Sequence, residues 1–225
     1  MVGRRAPVTV VLAAGDFPRR GSTAWDVLAS ARRVVCCDSA GAAYRRRFRR
    51  WPDAIVGDMD SIALSPRMAK SAPLVRCAGQ DDNDLAKAVR FCRERGWNDI
   101  VVLGATGGRE DHALGNVFRA LDEMLPVVTD HGAFIPVCGS ARFAVQKGAA
   151  VSVFAPDPRT KMSSRGLVWP LDGVTFSNLY VATLNRAAGG RFSVRSDRPV
   201  MVFVEGVPKA FRRPDRSIFA IDVLA

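Results

Sequence analysis

Up to about residue 130, short apolar runs alternate with segments of helical period, and this alternation constrains the chain more than any single residue does. Val8–Ala13, Val34–Cys37, Ala54–Val56, Leu74–Cys77, Ile100–Leu103 and Val127–Thr129 are runs of strand length and nearly all apolar. Strands of that kind are buried on both faces. Between them, Ala24–Ala31, Gly41–Arg49, Leu85–Arg95 and Leu114–Met124 carry the helix period. Leu85, Ala88, Val89 and Cys92 form an i, i+3, i+4, i+7 stripe, and Leu114, Val117, Phe118 and Leu121 form another. Strands alternating with helices predict an α/β domain over residues 1–130, built on a mostly parallel sheet with helices on both faces.

From residue 131 the rhythm changes. Phe134–Val137, Arg142–Val145, Val151–Phe154, Val174–Phe176, Phe192–Val194 and Val200–Val204 are short strand candidates punctuated by Gly and Pro, with no convincing helix between them. That pattern predicts a C-terminal antiparallel β-sandwich over residues 131–225. The tail Pro208–Ala225 is basic and then apolar, and its pattern decides nothing.

Composition enters through charge. The chain has 33 Lys+Arg against 22 Asp+Glu, a net +11, which makes a polyanionic partner the first expectation. The excess is local: residues 1–50 hold 11 Arg and 3 Asp, while the middle of the chain is nearly neutral. The one dense run, Arg45, Arg46, Arg47, Arg49 and Arg50 with Phe48 and Trp51 interleaved, reads better as a solvated helix face than as a nucleic-acid patch. Five cysteines without CxxC spacing are neither a disulfide framework nor a zinc site and suit a reducing cytoplasm. No apolar stretch approaches the ~20 residues that span a bilayer, so no membrane association is expected.

Three polar stretches each follow a predicted strand, where ligands bind in open α/β sheets. In Gly57-Asp58-Met59-Asp60-Ser61, Asp58 and Asp60 point the same way, about 6–7 Å apart along an extended chain. A cation between them or a solvated turn would each relieve their repulsion. Gln80-Asp81-Asp82-Asn83-Asp84 opens the helix of Leu85; acids cap helix starts, but three carboxylates in four residues exceed that need. Two acidic loops in a basic protein are accounted for by a Mg²⁺–polyphosphate site. The third stretch runs from Gly104 to His112. Its turn Thr106-Gly107-Gly108 leads into a helix N-terminus and offers backbone N–H groups to phosphate, and Arg109 adds a bidentate donor. It is neither a Walker A loop nor GxGxxG. His112, one helical turn before Asn116, reads by position alone as a structural hydrogen-bonder.

Taken in order, these three stretches resemble the thiamine pyrophosphokinase (thiamine diphosphokinase) family. Cys37-Asp38-Ser39-Ala40-Gly41-Ala42 resembles that family's acidic, glycine-rich first loop, and Gly166–Leu171 and Thr183-Leu184-Asn185 resemble its thiamine-side segments. The likeness runs from about residue 8 to 205. It implies a Rossmann-like ATP-binding domain, then a β-sandwich for thiamine binding and dimerisation, in a homodimer with active sites between subunits. It implies transfer of the pyrophosphoryl group of ATP to the hydroxyethyl oxygen of thiamine, giving thiamine diphosphate and AMP. By the same resemblance Asp58, Asp60 and Asp84 hold Mg²⁺ and the phosphates, with Arg109 among the catalytic groups. Asp38, Asp81, Thr106, Gly107, Gly108, Asp111 and His112 lie around ATP, and Gln80, Trp169, Thr183 and Asn185 around thiamine. Leu184 and Arg186 stand where the family usually has a Ser and an acidic residue. They keep open a pyrophosphokinase for another heterocyclic alcohol, such as a hydroxymethylpterin. An Arg-rich nucleic-acid binder would leave the acidic loops unexplained, and a non-catalytic nucleotide sensor on the same fold is a third alternative.

Overall fold

A computed structural model describes residues 8–58, 70–77 and 82–206. It divides into two units, one ending at Arg119 and the other beginning at Ala120. Gln80, Asp60, Asp81 and the tail lie outside the described residues.

In the first unit β1 (Thr9–Leu12), β2 (Arg33–Cys37), β3 (Ala54–Gly57), β4 (Leu74–Arg76) and β5 (Ile100–Leu103) form a sheet in the order β5-β1-β2-β3-β4. Every pairing is parallel. All residues of β1, β3 and β5 are buried, as expected of strands covered on both faces. The helices are α1 (Thr23–Ser30), α2 (Ala40–Phe48), α3 (Asp84–Glu94) and α4 (Glu110–Asp122). Ser22 caps α1 by accepting from the Trp25 N–H at 3.1 Å. Leu85, Ala88, Val89 and Cys92 of α3 are buried as their spacing predicts. The stripe of α4 holds at Val117 and Leu121 but not at Leu114, which is 63% exposed. Helix α4 also starts four residues before the predicted Leu114, because the polar turn Glu110–Ala113 is helical and has no apolar signature.

The second unit is antiparallel: β6 (Val127–Val128), β7 (Gly132–Ala144), β8 (Ala150–Phe154), β9 (Met162–Arg165), β10 (Ala182–Arg186) and β11 (Arg191–Glu205). The order is β10-β8-β11-β7-β6, with β9 on the opposite half of β11 from β8. Two pairs of predicted short strands are each one long strand. Phe134–Val137 and Arg142–Val145 merge in β7 because Gly139, at φ 90°, carries the chain through without ending the pairing. Phe192–Val194 and Val200–Val204 merge in β11, where the register shifts between Ser196 and Val200. Phe143 stacks on its cross-strand partner Phe192 at 4.5 Å, and Phe134 meets Phe203 at 4.8 Å. The predicted strand Val174–Phe176 is not a strand. Short-range bonds, Val174 N–H to the Leu171 carbonyl and Ser177 N–H to the Thr175 carbonyl, hold it as turns, with Phe176 buried. Strands β9 and β10 were not expected, since Met-Ser-Ser-Arg and Ala-Thr-Leu-Asn-Arg carry no apolar run.

Candidate active site

The strand order of the first unit reverses at β1, with β2 on one side and β5 on the other. The crevice outside the carboxyl ends of such strands is where open α/β sheets take ligands. Here the loops after β1 and β5 are joined. Ala13 N–H donates to the Leu103 carbonyl, Gly15 N–H to the Gly104 carbonyl and Asp16 N–H to the Thr106 carbonyl, each at 2.8 Å. From α4, Asn116 Nδ2 donates to the Ala105 carbonyl at 3.3 Å. Three successive carbonyls of the glycine-rich loop are thereby held from behind. Among the described residues no hydrogen bond uses the N–H groups of Thr106, Gly107 or Gly108, and both glycines are exposed. A loop with its acceptors engaged and its donors open is suited to an anion.

Only glycine fits this turn. Gly107 has φ 78° and Gly108 φ 69°, in the left-handed region, and a Cβ at Gly107 would overlap the Asp16 carboxylate. Asp16 therefore lies against the loop, a contact that nothing local in the sequence marks. A carboxylate beside anion-binding amides is repulsive unless a cation shares the site. Arg109 pairs with Asp111, Nε to Oδ1 at 3.1 Å and an Nη to Oδ2 at 2.7 Å, with both side chains largely exposed. That hydrogen-bonded guanidinium holds the Asp111 pKa down, from 3.8 to about 2. His112 is exposed on the first turn of α4.

The acidic residues belong to the neighbouring strand ends. Asp38 follows β2 at φ 41°, 4% exposed, and its N–H donates to the Val56 carbonyl at 3.0 Å. Gly57 permits this approach, because a Cβ there would come within 3.1 Å of Asp38 Cβ. Asp58 follows directly, half-buried. Asp84 opens α3 and accepts from the buried Lys87 Nζ at 3.2 Å. The Cys37 thiol donates to the Asp84 carbonyl at 3.5 Å. Burial first, and then the charges of Asp84 and Asp38 and the neighbouring Cys92, push the Cys37 pKa well above its usual value. Because Asp38 follows Cys37 in the chain, this thiol contact brings the backbones of the two predicted residues Asp38 and Asp84 near one another.

Among the described residues no three His, Cys, Asp or Glu side chains form a metal-holding group. The donor chemistry nevertheless fits a hard cation: Mg²⁺ takes one or two carboxylates and completes its shell with water and phosphate oxygen, and Asp58 and Asp84 supply carboxylates at adjoining strand and helix ends.

Two further residues join the acidic loop to the glycine-rich one. Asn83 caps α3, its Oδ1 accepting from the Ala86 N–H at 2.9 Å, and its Nδ2 donates to Asn116 Oδ1 at 3.3 Å. Asp82 bridges Arg90 of α3 (2.9 Å) and Arg119 of α4 (3.3 Å). The cap was readable in sequence; the link from Asn83 to Asn116, 33 residues on, was not.

Trp169, Thr183 and Asn185 belong to the second unit. Asn185 is 4% exposed, and its amide clasps the Trp169 backbone: Oδ1 accepts from the Trp169 N–H (3.2 Å) and Nδ2 donates to the Trp169 carbonyl (2.7 Å). Trp169 itself is 56% exposed, as are Tyr180 (67%) and Leu184 (84%, φ 62°). Thr183 Oγ1 donates to the Tyr180 carbonyl at 2.8 Å. Asn185 thus presents Trp169 rather than its own amide.

Comparison with known proteins bears on both units. Residues 24–128 match the family model "Thiamin pyrophosphokinase, catalytic domain", and residues 132–203 match "Thiamin pyrophosphokinase, substrate-binding domain". Thiamin pyrophosphokinase 1 of Caenorhabditis elegans is 39% identical over 37% of this chain and 38% of its own length. Thiamine pyrophosphokinase 1 of rice is 29% identical over 76% of each. The solved structure of thiamin pyrophosphokinase from Candida albicans superposes with a TM-score of 0.73 over 89% of each chain, at 16% identity a likeness of fold alone. With two models of one family matched in order over more than half of its length, the chain belongs to the thiamine pyrophosphokinase family.

Proposed function

We propose that the chain transfers the pyrophosphoryl group of ATP to the hydroxyethyl oxygen of thiamine, forming thiamine diphosphate and AMP. The observation that carries this reading is the glycine-rich loop at the strand-order reversal, its carbonyls engaged and the N–H groups of Thr106, Gly107 and Gly108 open, with the Asp16 carboxylate against it. The thiamine hydroxyl oxygen attacks the β-phosphorus and the bond from that phosphorus to the α,β-bridging oxygen breaks. AMP leaves with the bridging oxygen, and an aspartate of the acidic group takes the hydroxyl proton.

The loop amides hold the phosphates, and Arg109 turns from Asp111 to the oxygens on which charge develops. Asp58, Asp60 and Asp84 would hold Mg²⁺, and the ion, when bound, neutralises phosphate charge. Trp169, Thr183 and Gln80 form the thiamine side, where an aromatic face suits a cation, and Asn185 acts through Trp169. We take the working form to be a homodimer. Five free cysteines fit a reducing cytoplasm, and among the described residues no helix is long and apolar enough to cross a membrane.

The test is incubation with ATP, Mg²⁺ and thiamine, followed by resolution of nucleotides and thiamine esters. AMP and thiamine diphosphate are expected in equal amounts. ADP, or turnover indifferent to thiamine, overturns the reading, as does preference for a hydroxymethylpterin. Asp58→Asn should lower kcat by about a hundredfold or more with the fold intact by circular dichroism.

A further inference from the structure

We propose that Asn116 is a positioning residue that couples the acidic loop to the phosphate-binding loop, an inference that rests on the function proposed above. Asn116 lies on α4 between two partners and uses both ends of its amide. Its Oδ1 accepts from Asn83 Nδ2 (3.3 Å) and its Nδ2 donates to the Ala105 carbonyl (3.3 Å). Each partner has a second bond or neighbour that gives the link a direction. Asn83 is committed by its Oδ1 to the first turn of α3, next to Asp84. Ala105 is buried and sits between Gly104 and Thr106, whose carbonyls are held by the loop after β1.

The amide orientation is forced from both sides. Asn83 Oδ1 is taken by the helix cap, so Asn83 offers Asn116 only its NH₂. The Ala105 carbonyl can only accept. Asn116 must therefore present oxygen to Asn83 and nitrogen to Ala105, an arrangement that no single-function side chain reproduces. Without the Asn116 donor, the middle of the three engaged carbonyls loses its partner. The peptide following Ala105, whose N–H belongs to Thr106, is then free to rotate, and the amide set offered to phosphate is no longer held. The pairing of Asp82 with Arg90 and Arg119 joins α3 to α4 independently, so loss of the Asn116 link leaves the helices together and affects the loop.

The test combines steady-state kinetics with calorimetric titration of Mg·ATP. Asn116→Ala should raise KM for ATP about tenfold, the scale of one or two lost hydrogen bonds, with KM for thiamine within about twofold and Tm lowered by no more than about 4 °C. Asn83→Ser keeps a neutral capping oxygen but is too short to reach Asn116, and should raise KM for ATP about threefold. The double variant should be no weaker than Asn116→Ala alone, since both remove parts of one link. An unchanged KM for ATP in Asn116→Ala overturns the proposal, as do equal rises in both KM values or additive effects in the double variant. If the wild-type makes no AMP with thiamine, the proposed function fails; the inference then stands or falls on whether Asn116→Ala weakens Mg·ATP binding. Equal Kd values, or no binding by the wild-type, overturn it.

Discussion

The two units hold their candidate site residues by different means. In the first, the candidate side chains and amides sit on loops held by backbone bonds, either from loop to loop, Gly15 to Gly104 and Asp16 to Thr106, or from loop to strand, Asp38 to Val56 of β3. In the second, the exposed Trp169 is clasped directly by a buried side chain, Asn185, which adds to the backbone bonds of its neighbours, such as Val168 N–H to the Arg186 carbonyl. A parallel sheet ends every strand at the same edge and can gather several loops there, so neighbouring loops stabilise one another. An antiparallel sheet scatters its connections, and a loop at its surface needs its own clasp.

If the contrast is sound, the largest effect comes from disturbing the inter-loop contact. Gly107→Ala forces a left-handed residue to carry a Cβ into Asp16. It should cost about 1–3 kcal/mol of stability and lower kcat/KM for ATP about a hundredfold, read by thermal melts and initial rates. A variant as active as wild-type would break the claim that backbone fit governs this unit. Asn185→Ala tests the clasp. It should raise KM for thiamine about tenfold with KM for ATP unchanged, and destabilise by about 1–3 kcal/mol through the unpaired Trp169 N–H and carbonyl. A rise in KM for ATP of the same size would show that the units are not separable in this way.

The smallest effect concerns Arg109 and Asp111. The Asp111 pKa is depressed, so the pair is intact above the ordinary carboxylate range and is lost only as pH falls from about 4 through about 2. Assays between pH 6 and 8 should therefore show no titration from it. Asp111→Asn, by releasing Arg109, should change kcat about threefold or less, the scale of an exposed ion pair. Kinetics across that pH range check both points; a new inflection in the wild-type traceable to Asp111 would contradict the geometry.

How much was legible in the sequence follows the same division. The parallel strands and the helices between them could be read, because burial on both faces leaves uninterrupted apolar runs; of the three polar loops only the glycine-rich one lies wholly within the described residues. Leu114 departs from the pattern: helical spacing predicts that it faces inward, yet it is 63% exposed. Asp16 and the Asn83–Asn116 link escaped notice because their meaning depends on contacts over tens of residues, with nothing local to mark them. In the second unit the long strands were seen only in pieces. Gly139 and the interruption at 197–199 look like chain breaks, yet pairing continues through both. Strands β9 and β10 are polar and take their strand form from the partners they pair with.

That interruption in β11 has a consequence for how this chain can change. Between Ser196 and Val200 three residues stand opposite the single Cys138 of β7, so β11 carries two more than its partner. Two is an even number, and in a structure where neighbouring side chains face opposite ways an even excess leaves inside and outside as they were: Phe192 and Val194 before it and Val200, Val202 and Val204 after it are all buried. A single inserted or deleted residue there would turn one half of the strand over, sending Phe192 and Val194 into water. Length variation at this point is therefore tolerable only in pairs.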